Sequence, residues 1–342
     1  FAFPAHARAA IYQTAILVGI SRFLRFDPFY FWGLTQLIMA IQHLTFIAYE
    51  GKPCTSAFAC LQRDIKSAIK ESSAGSWRFE LLDRPVPVDH SFFREVGSYR
   101  YVDGNNTLYL ARVQKGVAFV VGTAALLNQK EFSLSEKVSH HHLRNLLYPG
   151  ESVVVTANRN SEVEVVPFKN DSKDFLCLTR GHWRLVNLGL IESLLQRNIN
   201  DPVIVSMVVE AARALSFLRY GTLILFPYDE MNLPAFAGMI DKSPLGEDLR
   251  KHIKGKFIGD LVGGGQFLNI LSSDGMTIIS RDGKIIDTGV IVSNQEMSPT
   301  QGGGGARTAA AKAASRYGVA LKVSADGPVS VFLQEQLIYS TL

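Results

Sequence analysis

The stretch Gln301-Gly302-Gly303-Gly304-Gly305-Ala306-Arg307-Thr308 runs without a break into the alanine-rich segment 309–315, and its reading decides the fold of the C-terminal part. Glycines let a backbone approach an anion closely, and the start of a helix offers unpaired amide hydrogens with a partial positive charge. Arg307 can add a charge-assisted contact and Thr308 a hydroxyl. In outline this is a phosphate cradle, although the same composition serves equally as a flexible connector. No Gly-Lys-Ser or Gly-Lys-Thr follows, so it is not the P-loop of nucleoside triphosphatases.

Upstream, Ser272-Ser273-Asp274-Gly275-Met276-Thr277-Ile278-Ile279 sets a carboxylate beside a glycine where a strand begins. Such an aspartate suits Mg²⁺ or Mn²⁺ held against phosphate oxygens, although in isolation a plain turn aspartate is the favoured reading. Arg281-Asp282-Gly283-Lys284 predicts a hairpin between strands 276–280 and 285–292. Helices are expected over 202–218, 245–253, 257–270 and 306–317, and strands over 222–226, 319–324 and 329–332. Mixed order of this kind argues for an α/β fold, a mixed sheet flanked by helices, over residues 201–342.

The first 200 residues read as an α+β region. Leu34, Leu37, Ile38, Ile41, Leu44 and Phe46 follow the three-and-four spacing of a buried helix over 32–49, stopped by Glu50-Gly51-Lys52-Pro53. Helical periodicity is expected to resume over 56–70. Turn residues such as Asp103-Gly104-Asn105 and Pro149-Gly150-Glu151 then separate Val-, Tyr- and Phe-rich runs. Strands are expected at 107–113, 117–122, 152–157 and 163–168, and a helix at 185–197.

Bulk properties narrow the function classes. With 342 residues, 47% of them hydrophobic, the chain can bury cores for about two domains. The net charge of +4 comes from scattered Lys and Arg, so no DNA-specific face is implied. Cys54, Cys60 and Cys177 show no zinc or C-x-x-C spacing, which points to a reducing cytoplasm without a disulfide framework. Gln36, Gln42 and His43 interrupt the longest apolar stretch, so no membrane span is expected, with a membrane-associated N-terminus as the alternative. The first residue is Phe1, which leaves a cleaved leader open.

Together the aspartate and glycine segments have the order of a known domain. Residues 211–226, Ala-Ala-Arg-Ala-Leu-Ser-Phe-Leu-Arg-Tyr-Gly-Thr-Leu-Ile-Leu-Phe, resemble the opening helix and strand of the diadenylate cyclase domain. Asp274-Gly275-Met276 falls where that family has Asp-Gly-Ala, and residues 281–292 match its following hairpin. Residues 303–309 lie at its Gly-x-Arg-His-Arg-x-Ala, and Val323-Ser324-Ala325-Asp326-Gly327 resembles its closing Val-Ser-x-x-x-Gly. The likeness covers residues 203–334. It implies phosphate contacts at Gly303, Gly304, Gly305, Ala306, Arg307 and Thr308, with Asp274, Gly275, Met276 and Ser324 beside them. Gly221, Thr222 and Leu223 would line the base pocket. In working members, two facing domains each hold ATP, and metal-assisted attack of one 3′-hydroxyl on the other α-phosphate makes cyclic di-AMP; here Asp274 would hold that metal and be the catalytic residue.

The departures bear on activity. Gly305 and Ala306 stand where the family has its first Arg and His, so two phosphate-binding side chains are gone. At ~1.5–3 kcal/mol per charged hydrogen bond, their loss removes roughly a hundred- to ten-thousand-fold in rate. Leu44-Thr45-Phe46-Ile47-Ala48-Tyr49-Glu50-Gly51-Lys52-Pro53, followed by a strand-rich segment, is similar to the start of the DACNV-type proteins, a group read as nucleotide sensors in bacterial conflict and antiviral defence. The reading is therefore a nucleotide sensor for ATP or a cyclic nucleotide, acting on an effector protein and able to form a homodimer. An active cyclase and a non-binding interaction module are the alternatives. His140-His141-His142 reads as a surface run, Asp229 and Glu230 as loop residues, Ser315 and Ser324 as lacking a catalytic triad, and Trp183 as core.

Overall fold

The computed structural model describes residues 19–20, 28–49, 51–61, 77–89, 92–93, 102–104, 106–114, 116–127, 152–167, 173–179, 181–231, 233, 244–263, 265–292 and 305–341. The expected features at Gly303, Gly304, His140–His142 and residues 62–70 lie outside the described residues. Two compact units divide the chain at Val186/Asn187. The boundary expected near residue 200 thus falls inside the second unit.

The first unit is built on helix α1 (Pro28–Leu44) and an eight-stranded mixed sheet. Leu34, Leu37, Ile38, Ile41 and Leu44 of α1 are all buried, and the helix packs on β5 (Thr107–Gln114), β6 (Val117–Leu126) and β7 (Ser152–Ala157). The helix stops at Leu44, short of the expected Tyr49. Ala48–Tyr49 (β1) instead pairs with Lys52–Pro53 (β2) around Gly51, whose φ of +74° suits glycine.

Segment 56–61 corrects a helical expectation. It is strand β3 (Ser56–Leu61), parallel to β5 and antiparallel to β7, with all six side chains buried. A central strand covered on both faces shows no period-two alternation, so periodicity alone cannot separate it from a buried helix. The sheet order is completed by β4 (Trp77–Pro87) beyond β6 at one edge. On the other side follow β8 (Val163–Pro167), β9 (Phe175–Thr179) and β10 (His182–Val186). The β10 strand takes the start of the helix expected at 185–197, leaving α2 (Leu188–Leu195).

The second unit is an α/β fold with a six-stranded mixed sheet in the order β13-β12-β11-β14-β15-β16. Its central strand β11 (Thr222–Pro227) runs parallel to β12 (Met276–Ile279) and antiparallel to β14 (Gly318–Val323). Strand β13 (Ile285–Val290) closes the expected hairpin with β12, while β15 (Val329–Leu333) and β16 (Gln336–Ser340) extend the other edge. The pleat sends Leu223 and Leu225 into a cluster with Ala311, Ala313 and Ala314 of α7 (Ala306–Ala314). Ile224 and Phe226 therefore point to the opposite face, where they are also fully buried.

Helix α3 (Pro202–Leu218) has the bounds expected of it. Asp201 caps it by accepting from the Val203 amide at 2.8 Å, Pro202 occupies the first turn, and Arg219 ends it in the left-handed region at φ +62°. The helix expected over 257–270 is two, α5 (Ile258–Val262) and α6 (Gln266–Ser272), because Gly263 ends the first and Gly265, at φ +70°, precedes the second. They follow α4 (Pro244–Ile253).

Candidate functional site

The site grows from the first turn of α7. Gly305 precedes the helix in an extended conformation and makes no side-chain cap. The first helical hydrogen bonds come from the Thr308 and Ala309 amides to the Gly305 carbonyl, at 2.8 and 3.2 Å, so the amides of Ala306 and Arg307 stand ahead of the ladder. That end of a helix carries roughly half a positive charge. Beside it opens a cavity of about 680 Å³, within the range of small-molecule sites. Leu223, Met276, Val290, Val292 and Ala310 supply apolar wall, and Arg307, Thr308, Lys322, Ser324 and Asp326 supply the polar groups.

Most residues singled out in the sequence converge on this cavity. Gly275, Met276, Leu223, Gly305, Ala306, Arg307, Thr308 and Ser324 all line it. Asp274 stands beside it, its Oδ1 3.5 Å from Arg307 Nη2; the aspartate side chain is 75% exposed, so this ion pair is weak. Gly221, expected in the base pocket, does not line the cavity and instead seats Arg307: a Cβ there would lie 2.2 Å from Arg307 Nη1, so the guanidinium lies where a side chain would be. Thr222 does not line the cavity. Adjacent to Leu223 on β11, it faces the other side of the sheet, buried, with no hydrogen-bond partner for its hydroxyl.

The glycine at 275 has a backbone reason to be there. Its φ is +96°, and an added Cβ would sit 2.7 Å from the Gly289 carbonyl carbon. The turn Ser324–Gly327 on the far side of the cavity is held in a comparable way. The Ser324 amide donates to the Pro328 carbonyl at 2.8 Å, the Gly327 amide to the Ser324 carbonyl at 2.9 Å, and the Arg219 guanidinium to the Asp326 carbonyl.

Lys322 and Asp326 were not singled out in the sequence. Lys322 interrupts the apolar run Val319-Ala320-Leu321-Lys322-Val323, and that lone cation in a buried strand was the available signal. Its Nζ donates to Thr308 Oγ1 at 2.9 Å. Burial lowers its pKa, and the neighbouring Arg307 charge acts in the same direction while Asp326 opposes both.

Comparisons with other proteins give little at the level of sequence. No family model matches the chain, and no curated protein matches it. Among solved structures, a double mutant of DacA from Staphylococcus aureus is similar at 17% identity and a TM-score of 0.28, over 41% of this chain and 86% of that one. A hypothetical membrane spanning protein from Bacillus cereus is similar at 18% identity and a TM-score of 0.29, over 40% of this chain and 62% of that one.

The remaining candidates have structural explanations. Asp229 accepts from the Met231 amide and Glu230 from the Arg281 amide, each at 2.9 Å, so both carboxylates shape a loop. Ser315 is buried and joins the end of α7 to Glu335 through its hydroxyl. Trp183 packs on the core of the first unit, as expected. All three cysteines are buried free thiols, and burial pushes Cys60 up to about 12. Cys177 stands near Glu162 and Glu164, their ligand atoms within 4.8 Å of one another, and the Asn158 side chain donates through Nδ2 to both carboxylates at 3.1 and 3.0 Å. No spacing rule in the sequence would have joined these three. Among the described residues, no helix is long and apolar enough to cross a membrane.

Proposed function

We propose that the second unit binds a nucleotide at the start of α7 and serves as a sensor, passing the bound state to an effector protein. The observation that carries this reading is the convergence of uncapped helix amides, Arg307 and Thr308 on one mouth of a cavity whose walls are otherwise apolar. Phosphate would sit at the amides of Ala306 and Arg307 and the guanidinium, and the base against Leu223 and Met276. The resemblance of residues 203–334 to the diadenylate cyclase domain supports the ligand class. Its missing Arg and His support binding without turnover.

Asp274, facing Arg307 beside the cavity, is the carboxylate we assign to Mg²⁺ or Mn²⁺. It supplies one oxygen-ligand group already facing Arg307, which suits an ion brought in on phosphates rather than a resident one. That chemistry belongs to the cyclase reading, in which a homodimer would face two such sites. Titration calorimetry with ATP and cyclic di-AMP is expected to give saturable heat with wild type and at least about tenfold weaker binding with Arg307→Ala. An absence of heat from both ligands would remove the sensor reading. Incubation with ATP and Mn²⁺ followed by mass analysis is expected to show no cyclic di-AMP; its appearance, and its loss in Asp274→Asn, would establish the enzyme instead.

A further inference from the structure

Folding brings three positive elements to one mouth: the α7 N-terminus, Arg307 and Lys322. For stability alone this is unfavourable. Lys322 lies on β14 between Leu321 and Val323, both fully buried, and its ammonium is half-withdrawn from water beside a second cation. An apolar side chain of similar length would pack on that strand without the cost of desolvating a charge. The Thr308 hydroxyl takes one of its three hydrogens, leaving donor capacity toward the cavity.

The charge count at the mouth is also limited. Among the described residues, two cations, Arg307 and Lys322, are set against Asp326 in the lining and Asp274 at its side, so their formal charges cancel and the helix end supplies the remaining positive potential. A triphosphate brings several negative charges and would need a divalent ion to be matched. A phosphodiester group brings one, so 3′,5′-cyclic AMP carries a single charge and cyclic di-AMP two charges on separate groups, only one of which need enter the mouth. We infer that the cavity selects a singly charged phosphodiester group, held between Arg307 and Lys322 without a divalent cation, and that Lys322 is the residue that sets this preference. The inference rests on the nucleotide reading of the same site and narrows its ligand class to cyclic nucleotides.

The test uses the full chain, with 3′,5′-cyclic AMP, cyclic di-AMP and ATP titrated into wild type, Lys322→Met and Lys322→Arg, each with Mg²⁺ and with EDTA. At least one cyclic ligand is expected to bind wild type equally well in Mg²⁺ and EDTA, and more tightly than ATP does; which one binds distinguishes a mononucleotide from a dinucleotide site. Lys322→Met is expected to weaken that binding about tenfold or more while its melting temperature stays level or rises, and Lys322→Arg to restore most of the affinity. Unchanged affinity in Lys322→Met, tighter binding of ATP, or loss of the cyclic ligand in EDTA would each overturn the inference while leaving nucleotide binding in place. Failure of wild type to bind any of the three would instead remove the nucleotide reading itself.

Discussion

Arg307 and Gly221 form a pair in which one residue's missing side chain makes room for the other's charge. A Cβ at 221 meets the far end of a flexible side chain, so Gly221→Ala is expected to leave stability within about 0.5 kcal/mol and yet weaken nucleotide binding by moving the guanidinium. Calorimetry and a thermal melt on the same sample separate the two effects; equal affinity in the variant would show that Arg307 needs no such seat. Gly275 behaves oppositely, since its left-handed φ and the backbone of Gly289 cannot yield cheaply. Gly275→Ala is expected to cost about 1–3 kcal/mol, read as a lower melting temperature, and an unshifted melt would contradict the strained geometry. Gly275, Asp274 and Arg307 were legible as residues of interest because glycines next to or near a charged residue at an element boundary have few uses, whereas Gly221 was singled out only through the family resemblance, for a base pocket that it does not line. Lys322 was not, because the lone cation in an apolar strand, the one signal available, does not say what it faces until α7 is seen to pack over it.

At the scale of elements, the bounds of α3 and the turn between β12 and β13 were the most legible. Asp201-Pro202 starts α3 and Asp282-Gly283 turns the β12–β13 hairpin, each through chemistry local to the sequence. The doubly buried strand β3 was misread because its apolar run carries no period, and the break between α5 and α6 because one apolar pattern spans both. Non-local ion pairs were invisible. Asp287 of β13 is held by the Arg250 guanidinium and, at 3.2 Å, by Lys254, with the Thr288 amide donating at 2.8 Å. Burial alone would push its carboxyl up, but these donors outweigh it and the pKa is lowered. Its contribution is therefore present above the unfolded carboxylate value of about 3.9 and is lost as pH falls through the depressed folded value. Asp287→Asn is expected to cost about 1–3 kcal/mol near neutrality and to flatten the acid limb of the stability profile. Parallel acid limbs for wild type and variant, followed by chemical denaturation, would show that the pair contributes nothing.

At the scale of the molecule, the α/β order of the C-terminal part followed from the alternation of strand and helix signals, whereas the sheet order did not. The antiparallel placement of β14 against β11 brings the start of α7 to the same end of the sheet as the Asp274 turn, although some 30 residues separate them in sequence. Each unit has its own sheet and its own buried cluster. A fragment of residues 187–342 is accordingly expected to melt cooperatively and to retain nucleotide binding; a broad, non-cooperative melt would mean that the second unit depends on the first. The most direct measurement of the central claim is a crystal structure of the full chain grown with cyclic di-AMP or 3′,5′-cyclic AMP. The predicted result is a phosphate within hydrogen-bond distance of the Ala306 or Arg307 amide and of the Arg307 side chain, with the base in the cavity beside Leu223 and Met276. A mouth closed by the protein's own side chains, with no phosphate at the start of α7, would contradict it.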